Sequence, residues 1–147
     1  MQQLSKNCLL LVEDNAQVRI SLQISLSRAG YLVSVATNEE EALACVARER
    51  IHVVLLGDAF AATQGFALLA RLRRLTTLPI IILADLTHPD DLAIAFRLGA
   101  NDYVIKPIQI NVLLARLTAV LRRAGKNTLR QPWKIVLPAE IVCSTLQ

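Results

Sequence analysis

The feature that most constrains this chain is a fivefold alternation of short apolar runs with amphipathic stretches. The runs are Cys8–Val12, Leu32–Ala36, Ile51–Leu56, Ile80–Leu83 and Tyr103–Ile105. Several are unbroken, CLLLV ending in acids for instance, which is the pattern of strands buried on both faces of a parallel sheet. Between them lie helical periodicities. Gln17–Ala29 carries Val18, Leu22 and Leu26 on one stripe and stops at Gly30, while Gly65–Leu75 carries Phe66, Leu69 and Leu72. Thr37-Asn38-Glu39-Glu40 fits a capping box that starts a helix running to about Glu49. Thr87-His88-Pro89-Asp90 caps a fourth helix ending at Leu98-Gly99, and Gln109–Ala124 is a long fifth. Strands and helices alternating through short links predict an α/β fold, a doubly wound five-stranded parallel sheet of (βα)5 type with helices on both faces. In such sheets functional groups gather beyond the carboxyl ends of the strands. Glu13, Asp14, Gly57, Asp58, Ala84, Asp85 and Lys106 stand there.

Composition sets the outer bounds. The 147 residues are 54% hydrophobic, which excludes a disordered chain and allows one sizeable core. No apolar run reaches the roughly 18 residues of a membrane span. Met1–Asn7 is polar and lacks the pattern of a signal peptide, so a cytoplasmic protein with no membrane partner is expected. Cys8, Cys45 and Cys143 are odd in number and far apart, and Cys8 and Cys45 fall in apolar stretches, the pattern of plain buried residues. The net charge of +4 is uneven: Arg116, Arg122, Arg123, Lys126, Arg130 and Lys134 follow one another with no acid between Leu113 and Lys134. Such a stretch suits a solvated helix end and linker, or an approach to an acidic partner or nucleic acid.

These features divide the chain into a domain over 1–124, a basic linker over 125–132, and a segment over 133–147. Trp133–Val136 and Glu140–Leu146 have β character around Pro138 and are too short for a core of their own.

Adjacent carboxylates at a strand end need a cation or a lysine to offset their repulsion. Glu13, Asp14 and Lys106 fit that need, but taken alone the acid pair equally fits a helix N-terminus, where the helix dipole favours acids. The whole set of segments is more specific. LLLVEDN (9–15), HVVLL (52–56) with Gly65 downstream, LPIIILA (78–84) and GANDYVIKP (99–107) resemble a response-regulator receiver domain of two-component signalling, with a flavodoxin-like, CheY-like fold, over about four fifths of the chain. In that family an acid pair and an aspartate after the third strand bind Mg²⁺, and the aspartate accepts a phosphoryl group from a histidine kinase. A Ser or Thr after the fourth strand and a Lys after the fifth contact the phosphoryl oxygens.

The match is partial. Glu13 and Asp14 correspond to the acid pair, Lys106-Pro107 to the Lys-Pro motif, and Tyr103 to the aromatic switch residue. Counting back the family's spacing of eight from Gly65 lands on Gly57, which has no side chain. The hydroxyl position is Ala84, and Ala59–Gln64 lacks the family's usual proline. Glycine supplies no nucleophile, and Mg²⁺ loses a carboxylate, so its binding at Glu13 and Asp14 is expected to be weak at best. The resemblance therefore implies a non-enzymatic receiver acting without phosphorylation, with Tyr103 set inward because Ala84 is small. Asp58 as a substitute acceptor, or a vacated pocket that senses a ligand or protein partner, are the alternatives. Lys106 bound to Asp14, Asp58 or Asp85 would mark a locked site.

Asp102 and Arg116 match a charged pair that bridges homodimers of the OmpR/PhoB winged-helix group through the face of helix four, strand five and helix five. Leu92 and Val112 stand where charges are expected, which favours a drier patch. The basic linker and Trp-Lys-Ile strand resemble the entry to that group's DNA-binding domain. Regulation of transcription would then run through an attached domain, and residues 133–147 would be the opening of its sheet or a C-terminal extension, unable to read DNA alone.

Overall fold

A computed structural model describes residues 7–57, 66–85 and 89–126. The elements alternate as β1 Cys8–Val12, α1 Ala16–Arg28, β2 Leu32–Ala36, α2 Glu39–Arg48, β3 Val53–Gly57, α3 Ala67–Leu75, β4 Ile80–Ala84, α4 Pro89–Arg97, β5 Asp102–Ile105 and α5 Ile110–Lys126. The five strands form one sheet in the order β2-β1-β3-β4-β5, and every pairing is parallel. The doubly wound sheet expected from the alternation is therefore what forms.

Strand periodicity divides the core in two. Successive side chains face opposite sides of a sheet. Leu10, Val12, Val54, Leu56, Ile80, Ile82 and Ala84 bury one face beneath α2 and α3, whereas Leu9, Leu11, Val53, Leu55, Ile81, Leu83 and Val104 bury the other beneath α1 and α5. The unbroken apolar runs follow from this: a strand with helices on both faces has no solvent side.

Local chemistry sets the element ends. The Asn15 side chain accepts the Val18 N–H at 3.0 Å and starts α1. Gly30, at φ 104°, takes the left-handed turn after it. The capping box of α2 forms one residue later than the sequence suggested. Asn38 is the cap and accepts from the Glu41 N–H at 2.9 Å, while Glu41 reaches back to the N–H and hydroxyl of Thr37. The donated Thr37 N–H, then its hydroxyl, hold the Glu41 carboxyl below its ordinary range.

Other boundaries move by a residue or two. β3 runs Val53–Gly57 instead of Ile51–Leu56, because β1 pairs it over Val53–Leu56 and β4 carries the pairing on to Gly57. Helix α3 begins at Ala67 rather than Gly65, after Phe66 in a left-handed conformation. Helix α5 continues past Ala124 to Lys126, so the first two residues of the expected linker are helical. Gly65, the proposed cap 87–88, residues 127–132 and the β-like segments of 133–147 lie outside the described residues.

Candidate functional site

Strand register assembles the carboxyl edge. Val12 pairs with Leu56, Gly57 with Leu83 and Ala84 with Ile105, so Glu13, Gly57, Ala84 and Lys106 come to one edge of the sheet. The Lys106 N–H donates to the Ala84 carbonyl at 2.7 Å, tying the fifth strand's end to the fourth. Of the sequence-predicted residues, Asp58 lies outside the described residues.

The two acids diverge. Asp14 is exposed, whereas Glu13 is 1% exposed. Glu13 Oε2 accepts the Asn15 N–H at 3.1 Å, and Arg19 donates to the backbone carbonyls of Glu13 at 3.0 Å and Asp14 at 3.3 Å. Glu13 Oε1 lies 3.3 Å from Lys106 Nζ and, among the described residues, accepts no hydrogen bond. Lys106 thus pairs with Glu13, not with Asp14 as one expectation had it, because Asp14 follows the strand outward into solvent. Asp85 is exposed.

Gly57 closes β3 against Glu13. A Cβ on Gly57 would stand 2.7 Å from Glu13 Oε1, 3.2 Å from its Cδ and 3.1 Å from the Val12 carbonyl oxygen. Cβ atoms do not approach that closely without displacement. The Glu13 carboxylate occupies the volume that a side chain at 57 would fill. Sequence reasoning missed this contact, although strand parity carries its signal. Glu13 follows Leu9 and Leu11, Gly57 follows Val53 and Leu55, and Lys106 follows Val104, all on the α1/α5 side. Ala84 follows Ile80 and Ile82 on the opposite side.

Tyr103 shares the face of Ala84. It is half-buried against the core, and its ring meets Phe96 of α4 edge-on, centroids 5.8 Å apart at 78°. Asp102 accepts from Arg116 at 3.3 Å within the chain. Around this pair, Ile94 (36%), Phe96 (43%), Ile105 (38%) and Val112 (41%) expose apolar surface on α4, β5 and α5. Leu92 does not join them as expected; the helical turn rotates it onto the core. A groove of about 360 Å³ runs along β5 and α5 past Tyr103, Lys106, Val112 and Arg116.

The cysteines take no part. Cys8 and Cys45 are free and half-buried, and burial, then the neighbouring Glu49, pushes the Cys45 thiol up to about 11. A thiol so raised is a poor nucleophile. Cys143 lies outside the described residues. No helix among the described residues is long and apolar enough to cross a membrane.

The comparisons with known proteins agree with this geometry. The chain is 38% identical over 120 residues to the transcriptional regulatory protein AfsQ1 of Streptomyces coelicolor, covering 82% of this chain and 53% of that one. It is 36% identical over 126 residues to the uncharacterized transcriptional regulatory protein YkoG of Bacillus subtilis, covering 85% and 55%. The chain thus spans about half the length of these relatives. Among solved structures, a two-component response regulator from Clostridium difficile superposes with a TM-score of 0.75 at 25% identity, over 84% of this chain and all of that one. The N-terminal domain of the nisin resistance regulator NsrR superposes at 0.70 with 29% identity, over 80% of this chain and 99% of that one. The model of the response regulator receiver domain matches residues 9–118, and on that span, with the parallel sheet and the acidic and lysine edge it builds, the chain belongs to the response regulator receiver family.

Proposed function

We propose that this receiver works without aspartyl phosphorylation, as an atypical member of the OmpR/PhoB type. It dimerises through the α4-β5-α5 face and so arranges an attached DNA-binding domain for transcriptional control. The observation that carries the reading is Gly57. It ends β3 beside Glu13, where the family's phosphoacceptor is expected, and it has no carboxylate to attack a phosphoryl donor. Ala84, buried at the end of β4, has no hydroxyl to hold a phosphoryl oxygen.

Two features support the output half. Tyr103 packs against the core on the same side of the sheet as the small Ala84, with its ring edge-on to Phe96. The face it belongs to exposes Ile94, Phe96, Ile105 and Val112 together with the Asp102–Arg116 pair, the mix of apolar and charged groups a protein interface uses. DNA and protein contacts of the whole regulator follow from the transcriptional regulators it resembles, through a domain beyond the receiver.

Intact mass spectrometry after incubation with acetyl phosphate and Mg²⁺ tests the first half. The expected spectrum shows no phosphoryl adduct, and an adduct lost in Asp58→Ala would refute the proposal. Sedimentation velocity tests the second. The wild-type chain is expected to be dimeric at micromolar concentration and Arg116→Glu monomeric; a monomeric wild type would refute the interface.

A further inference from the structure

The family's acid pair and aspartate hold a divalent cation, and the residues at this edge do not fit one. A hard cation such as Mg²⁺ needs near-octahedral oxygen ligands, usually one or two carboxylates beside water and phosphate oxygens. Here Asp14 turns into solvent, Gly57 brings no carboxylate, and Lys106 stands with its positive charge on the buried Glu13 oxygen. A cation arriving at Glu13 would have to expel the ammonium or sit against it. Among the described residues no group of three His, Cys, Asp or Glu side chains converges as a metal site.

We infer that Glu13, Gly57 and Lys106 form an ionic latch that takes the place of the metal ion and holds this edge closed by itself. It deepens the preceding reading and rests on it for the identity of the edge. The geometry is interdependent. The Glu13 carboxylate reaches its seat because residue 57 has no Cβ, since such an atom would lie 2.7 Å from Oε1. In that seat Oε2 is satisfied by the Asn15 N–H at 3.1 Å and Oε1 is compensated by Lys106 at 3.3 Å. A carboxylate buried this deeply is costly without a paired charge, so the lysine supplies locally what a cation would otherwise supply. The latch also joins the start of α1, through Asn15, to the end of β5. The glycine is therefore more than a missing nucleophile. It is the condition for the lysine pair, and an aspartate restored at 57 would meet the Glu13 carboxylate both sterically and as a like charge.

The test uses the whole chain. Backbone amide NMR is followed through a MgCl₂ titration into the millimolar range, with thermal unfolding measured alongside. The expected result is no saturable shift at the amides of Glu13, Asp14 or Lys106. Gly57→Ala is then made in the wild type and in Glu13→Ser, which withdraws the obstructing carboxylate. The alanine is expected to lower the unfolding midpoint in the wild type and to lower it distinctly less in Glu13→Ser. A saturable Mg²⁺ shift at those amides, or an equal loss in both backgrounds, overturns the latch. If Gly57→Ala does not fold in the wild type, the titration still decides. A phosphoryl adduct on the unaltered chain would refute the preceding function while leaving both of these readouts to stand or fall separately.

Discussion

Arg73 offers the sharpest quantitative prediction, because one side chain closes five hydrogen bonds at the junction of α3, β4 and β5. Nη1 donates to the carbonyls of Thr76 at 3.1 Å and Leu78 at 2.9 Å. Nε and Nη2 donate to the Gly99 carbonyl at 3.2 and 2.8 Å, and Nη2 also donates to Asn101 Oδ1 at 3.1 Å. Burial lowers the Arg73 pKa from its ordinary value, yet arginine stays charged throughout the working range. In Arg73→Ala the acceptors near solvent rehydrate. Gly99 is half-buried, and Asn101 keeps its bond from the Ile80 N–H at 2.9 Å. Thr76 and Leu78 are 5% and 1% exposed, so their carbonyls lose their partner where water enters poorly. At about 1–2 kcal/mol for each buried acceptor left unpaired, the loss is about 3 kcal/mol. Urea unfolding followed by far-UV circular dichroism measures it. Arg73→Lys recovers part of the loss, since one ammonium cannot reproduce the planar fork. Gly99 gives an internal check: at φ 113° its added Cβ would meet Arg73 Nε at 2.7 Å and Cγ at 2.8 Å. Gly99→Ala should therefore cost less in the Arg73→Ala background than in the wild type. A loss under about 1 kcal/mol for Arg73→Ala would refute the assignment of this arginine as a multi-carbonyl clamp.

Two further outcomes follow from local chemistry. Asn38→Ala removes the acceptor of the Glu41 N–H at the start of α2 and is expected to cost about 1 kcal/mol in the same urea assay. His52 Nδ1 accepts the Cys8 N–H at 3.0 Å, and burial, then the charge of Arg50, lowers its pKa below 6.5. A base with a depressed folded pKa stabilises the fold above its unfolded value, and that contribution is lost as pH falls through the folded value. His52→Gln should flatten the decline in stability on acidification below about pH 6.5, read from unfolding midpoints across pH.

The fold was legible because it rests on signals within short windows. Apolar runs such as CLLLV and periodic stretches such as Gln17–Ala29 announce their elements, and parallel pairing follows from their alternation. Boundaries were less legible. Asn38 displaced Thr37 as the cap because both carry a suitable oxygen, and the choice depends on which residue leaves the helix in extended geometry. Gly57 entered β3 because β4 pairs it with Leu83, which no local propensity reveals. The candidate site was legible as a set of residues and illegible as a set of contacts. The partner of Lys106 turned on Glu13 folding inward while Asp14 folded outward. Parity along β1, β3 and β5 contains that answer, but only once the register between strands is known. Leu92 shows the same limit on α4, where a small helical rotation moved an expected surface residue onto the core.

The central claim is that the α4-β5-α5 face is set without a phosphoryl group. The most direct measurement compares the sedimentation of the chain before and after treatment with acetyl phosphate and Mg²⁺, each beside Arg116→Glu. The account predicts the same dimer in both treatments and its loss in the variant. A chain that sediments as a monomer and dimerises only after treatment would contradict it.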